Sequence, residues 1–569
     1  MPRYSHTATP LTDGSVLVVG GTDELHLTAI NTVEIFDQSL FVGLAQLTPE
    51  SISGDFIDQD IDGNLIALVN GGRFFHTSSK VEDENVVVIG GTNNILFGLA
   101  NPTSEVFDPQ TRTFSLQIAA ADDIEIPRVR HTAHRLSNGT LLIAGGQEYD
   151  NIVIPGGGPF GQTAIQNSYA TTEKIEIFDP SSQTFSPAVD SIGFDAELTT
   201  SRGRGGHASV SFAGFDEQLN TTDDLVGFLG GMMTLSALSL NAPEDLFPWN
   251  PLQTKLTSLD FYHPPTGTVN LAQGLALTER MNDPIAINLG KDRINTPFGD
   301  IGMGNVVLIF GGDNDDAGCP EGGAATGGNS TDASELLVAT YTGFGPANGV
   351  RFSRQSGGDS FTHGSEVKAA GLPLCPESYN RSKTAGVLLD MSRSYDGQNF
   401  VTSAVICVGG HDATLEINGQ CTTTTTSLAF LNSPPCAANQ VWGYHFFDPF
   451  FNVESQNEPW DWRDNETPLN PLGIRGTWLG FDSAIPSETL DGYGGPLPEQ
   501  AIVLPHLKAG RLMHTLSRIP GEDGLIGTLD DRVVVIGGTG SYIPTFGDDA
   551  LSVSCEIFLP PDAGSPAIP

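Results

Sequence analysis

Seven short apolar runs, each ending in a glycine pair, divide the chain: Gly20-Gly21, Gly90-Gly91, Gly145-Gly146, Gly230-Gly231, Gly311-Gly312, Gly409-Gly410 and Gly537-Gly538. The residues before them, such as Val86-Val87-Val88-Ile89 and Val533-Val534-Val535-Ile536, are β-branched, and the runs are too short for helices. Each run predicts a strand apolar on both faces that stops where side chains must vanish. Before the strand, Asp13-Gly14 and Asn138-Gly139 are two-residue hairpin signals, so those units open with antiparallel pairs. After it comes a third strand, Glu34-Ile35-Phe36-Asp37, repeated as Glu105-Val106-Phe107-Asp108-Pro109 and Glu176-Ile177-Phe178-Asp179-Pro180. It fades through Asp260-Phe261-Tyr262-His263-Pro264 and His445-Phe446-Phe447-Asp448-Pro449 to Glu556-Ile557-Phe558. A turn and a fourth strand carrying an aromatic, such as Phe114 or Phe185, complete a unit of four strands.

Upstream of each glycine pair sits Arg-x-x-His or a degraded copy: Arg3 with His6, Arg73 with His76, Arg128 with His131, Arg204 with His207, and Arg511 with His514. In the fifth and sixth units the same place reads Arg280 with Asp283 and Arg381 with Thr384. A histidine recurring in five units is expected to serve the unit itself, through hydrogen bonds between neighbouring strands. The arginines are expected to pair with the acidic residues of the third strands, the alternative being a basic ring that holds an anion.

With these elements in this order, the chain resembles bacterial Kelch-repeat proteins and is similar to the propeller domain of the galactose oxidase superfamily. The resemblance implies an all-β fold, a seven-bladed Kelch-type β-propeller with long loop insertions on one face, as a single domain over 1–569. The blades fall at 3–45, 69–118, 127–190, 201–272, 278–345, 380–452 and 509–569, with 453–508 an inter-blade insertion. Successive glycine pairs are 70, 55, 85, 81, 98 and 128 residues apart. A Kelch unit needs only about 50 residues, leaving roughly 219 for insertions. The longest, 147–171, 232–256, 313–334, 411–440, 345–379 and 452–508, lie between second and third strands or between blades, which share one face. Function is expected on that face.

The same superfamily contains copper radical oxidases, whose site includes a Tyr-His pair at the start of a first strand. Here the last unit reads Met513-His514, and Tyr444-His445 falls in a third strand. The copper site is not carried over, no copper is expected, and no catalytic residue is assigned. A secreted carbohydrate-active enzyme stays the alternative to a binding module, because catalytic residues drawn from different blades leave no local motif.

Charge narrows the partners. With 26 Lys and Arg against 68 Asp and Glu, the net charge of -42 repels nucleic acid. No apolar run reaches the about 18 residues of a membrane helix, so no membrane insertion is expected. The numbering opens inside the first unit, and a leader or upstream domain is expected to be missing from it. Six cysteines without zinc spacing point to disulfides in an oxidising compartment, extracellular, cell-surface or periplasmic. The expected pairs are Cys421 with Cys436 and Cys319 with Cys375, while Cys407 and Cys555 lie in strand-like text.

Calcium is the candidate cofactor. Asp58, Asp60 and Asp62 alternate ahead of Gly63 and Asn64, the way a loop wraps a hard cation, although Val69 stands where an EF-hand has its glutamate. Weaker candidates are Asp313 with Asp315, and Asp523 with Asp530. Trp249, Trp442, Trp460, Trp462 and Trp478 in or near insertions offer surfaces for sugar rings. The sequence is thus read as an extracellular binding or scaffold module that recognises a glycan or a protein. A third reading, a structural subunit, comes from the last unit: no fourth strand follows Glu556-Ile557-Phe558, so an edge open to a neighbouring subunit is expected there.

Overall fold

The computed structural model describes residues 3–22, 28–37, 55–93, 100–116, 124, 127–154, 164–200, 203–234, 253–276, 283–290, 293–296, 299–314, 329–330, 334–341, 350–355, 381–382, 385–395, 398–412, 441–445, 477–480, 507, 511–521, 523–539 and 555–558. Among them the chain is all-β and antiparallel, with one 3-10 turn at Met303–Asn305. Unit one is a sheet of Thr7–Pro10, Val16–Val19, Val33–Asp37 and Asp55–Ile57, hydrogen-bonded in that order. Five further sheets repeat the order, with second strands Val86–Ile89, Leu141–Ala144, Leu225–Leu229, Val306–Phe310 and Gln398–Val408. The last sheet has three described strands, Thr515–Ile519, Arg532–Ile536 and Cys555–Phe558.

The first strands of these sheets touch one another in sequence, and that of the last sheet touches that of the first. The arrangement is propeller-like. It explains why the runs before the glycine pairs, such as Val16–Val19 and Val86–Ile89, are apolar on both faces and do not alternate. Val16 and Val18 face the last sheet, packing on Val534 and Ile536, while Leu17 and Val19 face the second, packing on Val86 and Val88. A strand sandwiched between two sheets needs both faces apolar. Burying such a side chain contributes about 1.5–3 kcal/mol.

The glycine pair is required by two close approaches. A Cβ on Gly20 would lie 2.3 Å from the Arg73 carbonyl oxygen of the next unit, and one on Gly21 2.7 Å from the Tyr4 oxygen of its own. The Gly21 amide donates to Arg73 O at 2.9 Å, and the same bond recurs from Gly538 to Arg3 O at 3.0 Å. The last unit therefore meets the first through the contact that joins the others.

Three expectations change. The Asp13-Gly14 and Asn138-Gly139 turns are three-residue loops. Leu11 N donates to Ser15 O and Gly14 N to Leu11 O, and the pattern repeats at Leu136, Gly139 and Thr140. Only the glycine has positive φ, 86° and 87°, while the Asp13 and Asn138 side chains accept from the amides of Ser15 and Thr140. A type I turn followed by a left-handed glycine needs this extra residue. Several fourth strands come later than the blade limits. Asp55–Ile57 lies past 45, Thr268–Ala276 runs past 272, Val350–Gln355 lies past 345, and Thr477–Gly480 falls inside 453–508. Added sequence thus falls between third and fourth strands as well as between units. Finally, Ile285 pairs with Phe310 as Ala208 pairs with Leu229, so Pro284 occupies the histidine place of unit five and Asp283 the place before it. The register slips by one residue there.

Candidate functional site

The repeated arginines Arg3, Arg73, Arg128, Arg204 and Arg511 are buried. Arg73 Nη1 donates to Gly90 O and Thr103 O, both at 3.1 Å, and Nη2 pairs with Glu105, both side chains being 0% exposed. Arg3–Glu34 at 3.0 Å, Arg204–Asp260 at 2.8 Å, Arg128–Glu176 and Arg511–Glu556 repeat the pairing. Each guanidinium thus ties first, second and third strands together at one end. Arg280 lies outside the described residues, as does the side chain of Arg381.

The histidines bond between units. His76 Nε2 lies 2.9 Å from Thr7 Oγ1, His131 Nε2 3.0 Å from Thr77 Oγ1, His207 Nε2 3.0 Å from Thr132 Oγ1, and His6 Nε2 2.9 Å from Thr515 Oγ1. Ala385 takes the hydroxyl's place ahead of His514, whose Nε2 has no such bond among the described residues. Burial, helped by the neighbouring arginines, drives His6, His131 and His514 down to about 3 and pushes His76 and His207 well below their ordinary value. The rings are neutral and belong to the scaffold.

The residue just before each histidine place differs from unit to unit. Ser5, Phe75, Arg130, Gly206, Asp283 and Met513 occupy it with φ between 52° and 59°. Their backbones join in an arc: Arg130 N donates to Phe75 O at 3.1 Å, Gly206 N to Arg130 O at 3.0 Å, and Asp283 N to Gly206 O at 2.7 Å. Across the start, Ser5 N donates to Met513 O at 3.4 Å. Their side chains meet too. Arg130 pairs with Asp283 and lies 5.7 Å from the Phe75 ring centroid, and Ser5 Oγ is 3.8 Å from Met513 Sδ. Unlike residues thus converge at one end of the circuit of first strands.

That end also carries two-stranded ribbons. The residue beside each of these positions bridges to the residue after a glycine pair: Tyr4 to Thr22, Phe74 to Thr92, Gly205 to Met232 and Leu512 to Thr539. From there two-stranded ribbons rise, Gln147–Ile154 with Ala164–Thr171, Met232–Thr234 with Gln253–Lys255, and Asp313–Asn314 with Asn329–Ser330. The sequence hid this site because its residues share no chemistry. The usable signal was variation at one fixed place in an otherwise repeated motif.

Asp60 folds into a turn. Its Oδ1 accepts from the amides of Asp62 and Asn64 at 2.9 and 2.8 Å, and Asp60 N donates to Asn64 O. Asp190 makes the same turn with Ile192 and Phe194, although Ala188, Ile192 and Phe194 stand where the first turn has Asp58, Asp62 and Asn64. Hydrogen bonds alone therefore account for the Asp60 conformation, which holds its carboxyl below the usual range. Asp313 begins a paired strand, whereas Asp315, Cys319, Cys375, Cys421 and Cys436 lie outside the described residues, as do Trp249, Trp460 and Trp462. Trp442 and Trp478 stand on paired strands of unit six. Cys407 is buried and Cys555 half-buried.

The loops joining first to second strands in unit four and the last unit have one pattern: Gly214, Asp216, Thr221, Asp223, Asp224 and Gly521, Asp523, Thr528, Asp530, Asp531. Asp216 N and Asp523 N donate to Asp223 and Asp530, at 3.2 and 3.1 Å. Asn220 N and Gly527 N donate to Asp224 and Asp531, both at 2.7 Å. Carboxylate oxygens of Asp216, Asp223 and Asp224 lie within 4.8 Å of one another.

No family model matches the chain, and no curated protein does. Among solved structures it is similar to one described as the structure of YjhT, at 14% identity and TM-score 0.36 over 62% of this chain and 84% of that one. It is also similar to a fungal alcohol oxidase of the AA5 family in complex with copper, at 12% identity and TM-score 0.44 over 98% of this chain and 74% of that one. Both likenesses are distant. Among the described residues, no helix is long and apolar enough to cross a membrane.

Proposed function

We propose that the chain is a seven-bladed Kelch-type propeller acting as an extracellular binding or scaffold module, its ligand a glycan or protein held at the mouth on the long-loop face. The carrying observation is the contrast between neighbours in sequence. The repeated arginine and histidine are tied into the scaffold, while the residue just before the histidine varies from unit to unit, and three of these residues, Phe75, Arg130 and Asp283, meet one another. An ion pair beside an aromatic ring offers donors and acceptors next to a stacking surface, as polar ligands require. Binding of the full chain to a glycan array, and to immobilised candidate proteins, tests this. A ligand lost on Arg130→Ala but kept on Arg112→Ala supports the mouth; a ligand indifferent to Arg130→Ala moves the site elsewhere.

A second reading is an assembly subunit. It is favoured by the last sheet, where Cys555–Phe558 pairs with Arg532–Ile536 and is the outermost described strand. Analytical ultracentrifugation that finds only monomer at all concentrations would remove it.

A further inference from the structure

The loop from Gly521 to Asp531 in the last unit repeats the frame of the loop from Gly214 to Asp224, but not its surface. Its side chains Leu525, Ile526 and Leu529 are 62%, 54% and 40% exposed. The backbone beneath them is held: Leu525 N donates to Asp523 Oδ1 at 2.8 Å, Gly527 N to Asp531 Oδ2 at 2.7 Å, and Thr528 Oγ1 to Asp530 Oδ1 at 2.7 Å. Arg518 of the first strand pairs with Asp531. Three large apolar groups are thus presented outward on a fixed support.

Unit four shows that the support does not require them. Counted from the shared glycine, Gln218, Leu219 and Thr222 stand where the last unit has Leu525, Ile526 and Leu529. The same bonds form: Gln218 N donates to Asp216 Oδ1 at 2.8 Å, Asn220 N to Asp224 Oδ2 at 2.7 Å, and Thr221 Oγ1 to Asp223 Oδ1 at 2.8 Å. Two of the three places are therefore polar there. The third is covered by unit five: a Cβ on Gly304 would lie 3.5 Å from Leu219 Cγ, and Ala213 N donates to Gly304 O at 2.8 Å. Gly304 belongs to the long connection between Ile285–Asn288 and Val306–Phe310, whereas the unit that follows the last one is unit one, whose matching connection is only Leu11 to Ser15. Cβ atoms placed on Gly524 and Gly527 would meet nothing within 4 Å. Leucine in place of glutamine and threonine gains stability only when another surface removes it from water.

Charge selects that surface. From Pro520 to Asp531 the sequence holds Glu522, Asp523, Asp530 and Asp531 and no Lys or Arg, in a chain of net charge -42. A second copy would set these charges against themselves, and an anionic lipid surface is repelled in the same way. A protein surface apolar at its centre and basic at its rim is complementary on both counts. We propose that Leu525, Ile526 and Leu529 dock a protein partner whose contact patch is apolar and rimmed by Lys or Arg. First strands start at the mouth and end at these loops, so a partner docked here leaves the mouth open.

The test compares the full chain with the double variant Leu525→Gln, Leu529→Thr, which places unit four's own residues on the shared frame. The probe is a phage-displayed library of random linear peptides selected on the wild-type chain. The expected result is enrichment of peptides that join apolar residues to Lys or Arg and that bind the double variant at least about tenfold more weakly. Their binding should also weaken as NaCl is raised. A selection in which no enriched peptide separates the two chains, or in which those that do lack basic residues, overturns the proposal. So does a wild-type chain that binds phosphatidylcholine vesicles, or self-associates in ultracentrifugation, where the double variant does not, since lipid or a second copy would then be the occupant.

Discussion

Arg130 of unit three pairs with Asp283 of unit five, passing over unit four, where the corresponding residue is Gly206. The pair is asymmetric: the Arg130 side chain is 4% exposed and that of Asp283 29%. Removing the carboxylate strands a buried guanidinium, whereas removing the guanidinium leaves a carboxylate that water reaches. Asp283→Asn is expected to cost about 2–3 kcal/mol and Arg130→Met about 1 kcal/mol. Urea unfolding of the two variants checks the order, and equal costs would contradict it.

Gly206 has no side chain at the corresponding position, and its backbone bonds to both Arg130 and Asp283. Gly206→Asn keeps the left-handed backbone accessible, because asparagine tolerates it, yet inserts a side chain between the partners. The expected outcome is ligand affinity at the mouth reduced about tenfold or more with the unfolding midpoint lowered only slightly. A variant with full affinity would show that the mouth does not form the contact surface.

Arg73 and Glu105 are both 0% exposed, and Glu105 also accepts from the amides of Val69 and Asn70 at 2.6 and 3.2 Å. Arg73→Met is expected to destabilise by about 3–5 kcal/mol, since the carboxylate would be left buried and unpaired. Arg3→Met should cost less, because Glu34 is 14% exposed. Denaturant titration compares the two.

The neutral histidines make the fold acid-sensitive. His6, His131 and His514 sit at about 3 in the folded chain against 6.5 when unfolded. Between those values the unfolded state binds the extra protons. Stability is therefore full above pH 6.5 and falls as pH drops toward 3, each ring contributing a slope of up to about 1.4 kcal/mol per pH unit. His131→Gln should flatten the loss measured by unfolding at pH 7, 6 and 5, while an unchanged slope would place the proton uptake on other groups.

Gly537→Ala tests how the circuit closes. Its Cβ would meet Arg3 O at 2.6 Å, as one on Gly20 meets Arg73 O at 2.3 Å. Comparable destabilisation by Gly20→Ala and Gly537→Ala is expected in thermal unfolding; a neutral Gly537→Ala would mean that the last unit and the first are not in contact in solution.

Strand order was legible because the stretch of second strand before the glycine pair, with neighbours on both sides, is apolar on both faces, as in Val16 to Val19. Turn geometry was less so. Asp13-Gly14 reads like a two-residue turn, and only the bond from Leu11 N to Ser15 O reveals the third loop residue. In unit five the degraded motif concealed a one-residue slip, because Asp283 looked like a worn histidine although Pro284 holds that place. The mouth stayed hidden because convergence depends on which unit neighbours which, a property of the closed circuit and not of any local stretch. The loop pair was overlooked for another reason. Asp523 and Asp530 drew notice as acidic residues, but the match to Asp216 and Asp223 needs the shared threonine and glycine to be seen.

The bonds from Gly538 to Arg3 and from His6 to Thr515 join parts of the chain that share no peptide link, yet they match the contacts between units that do. Covalent continuity between units is accordingly dispensable for their association. A circular permutant opened between two other units is therefore expected to assemble the same circuit of first strands.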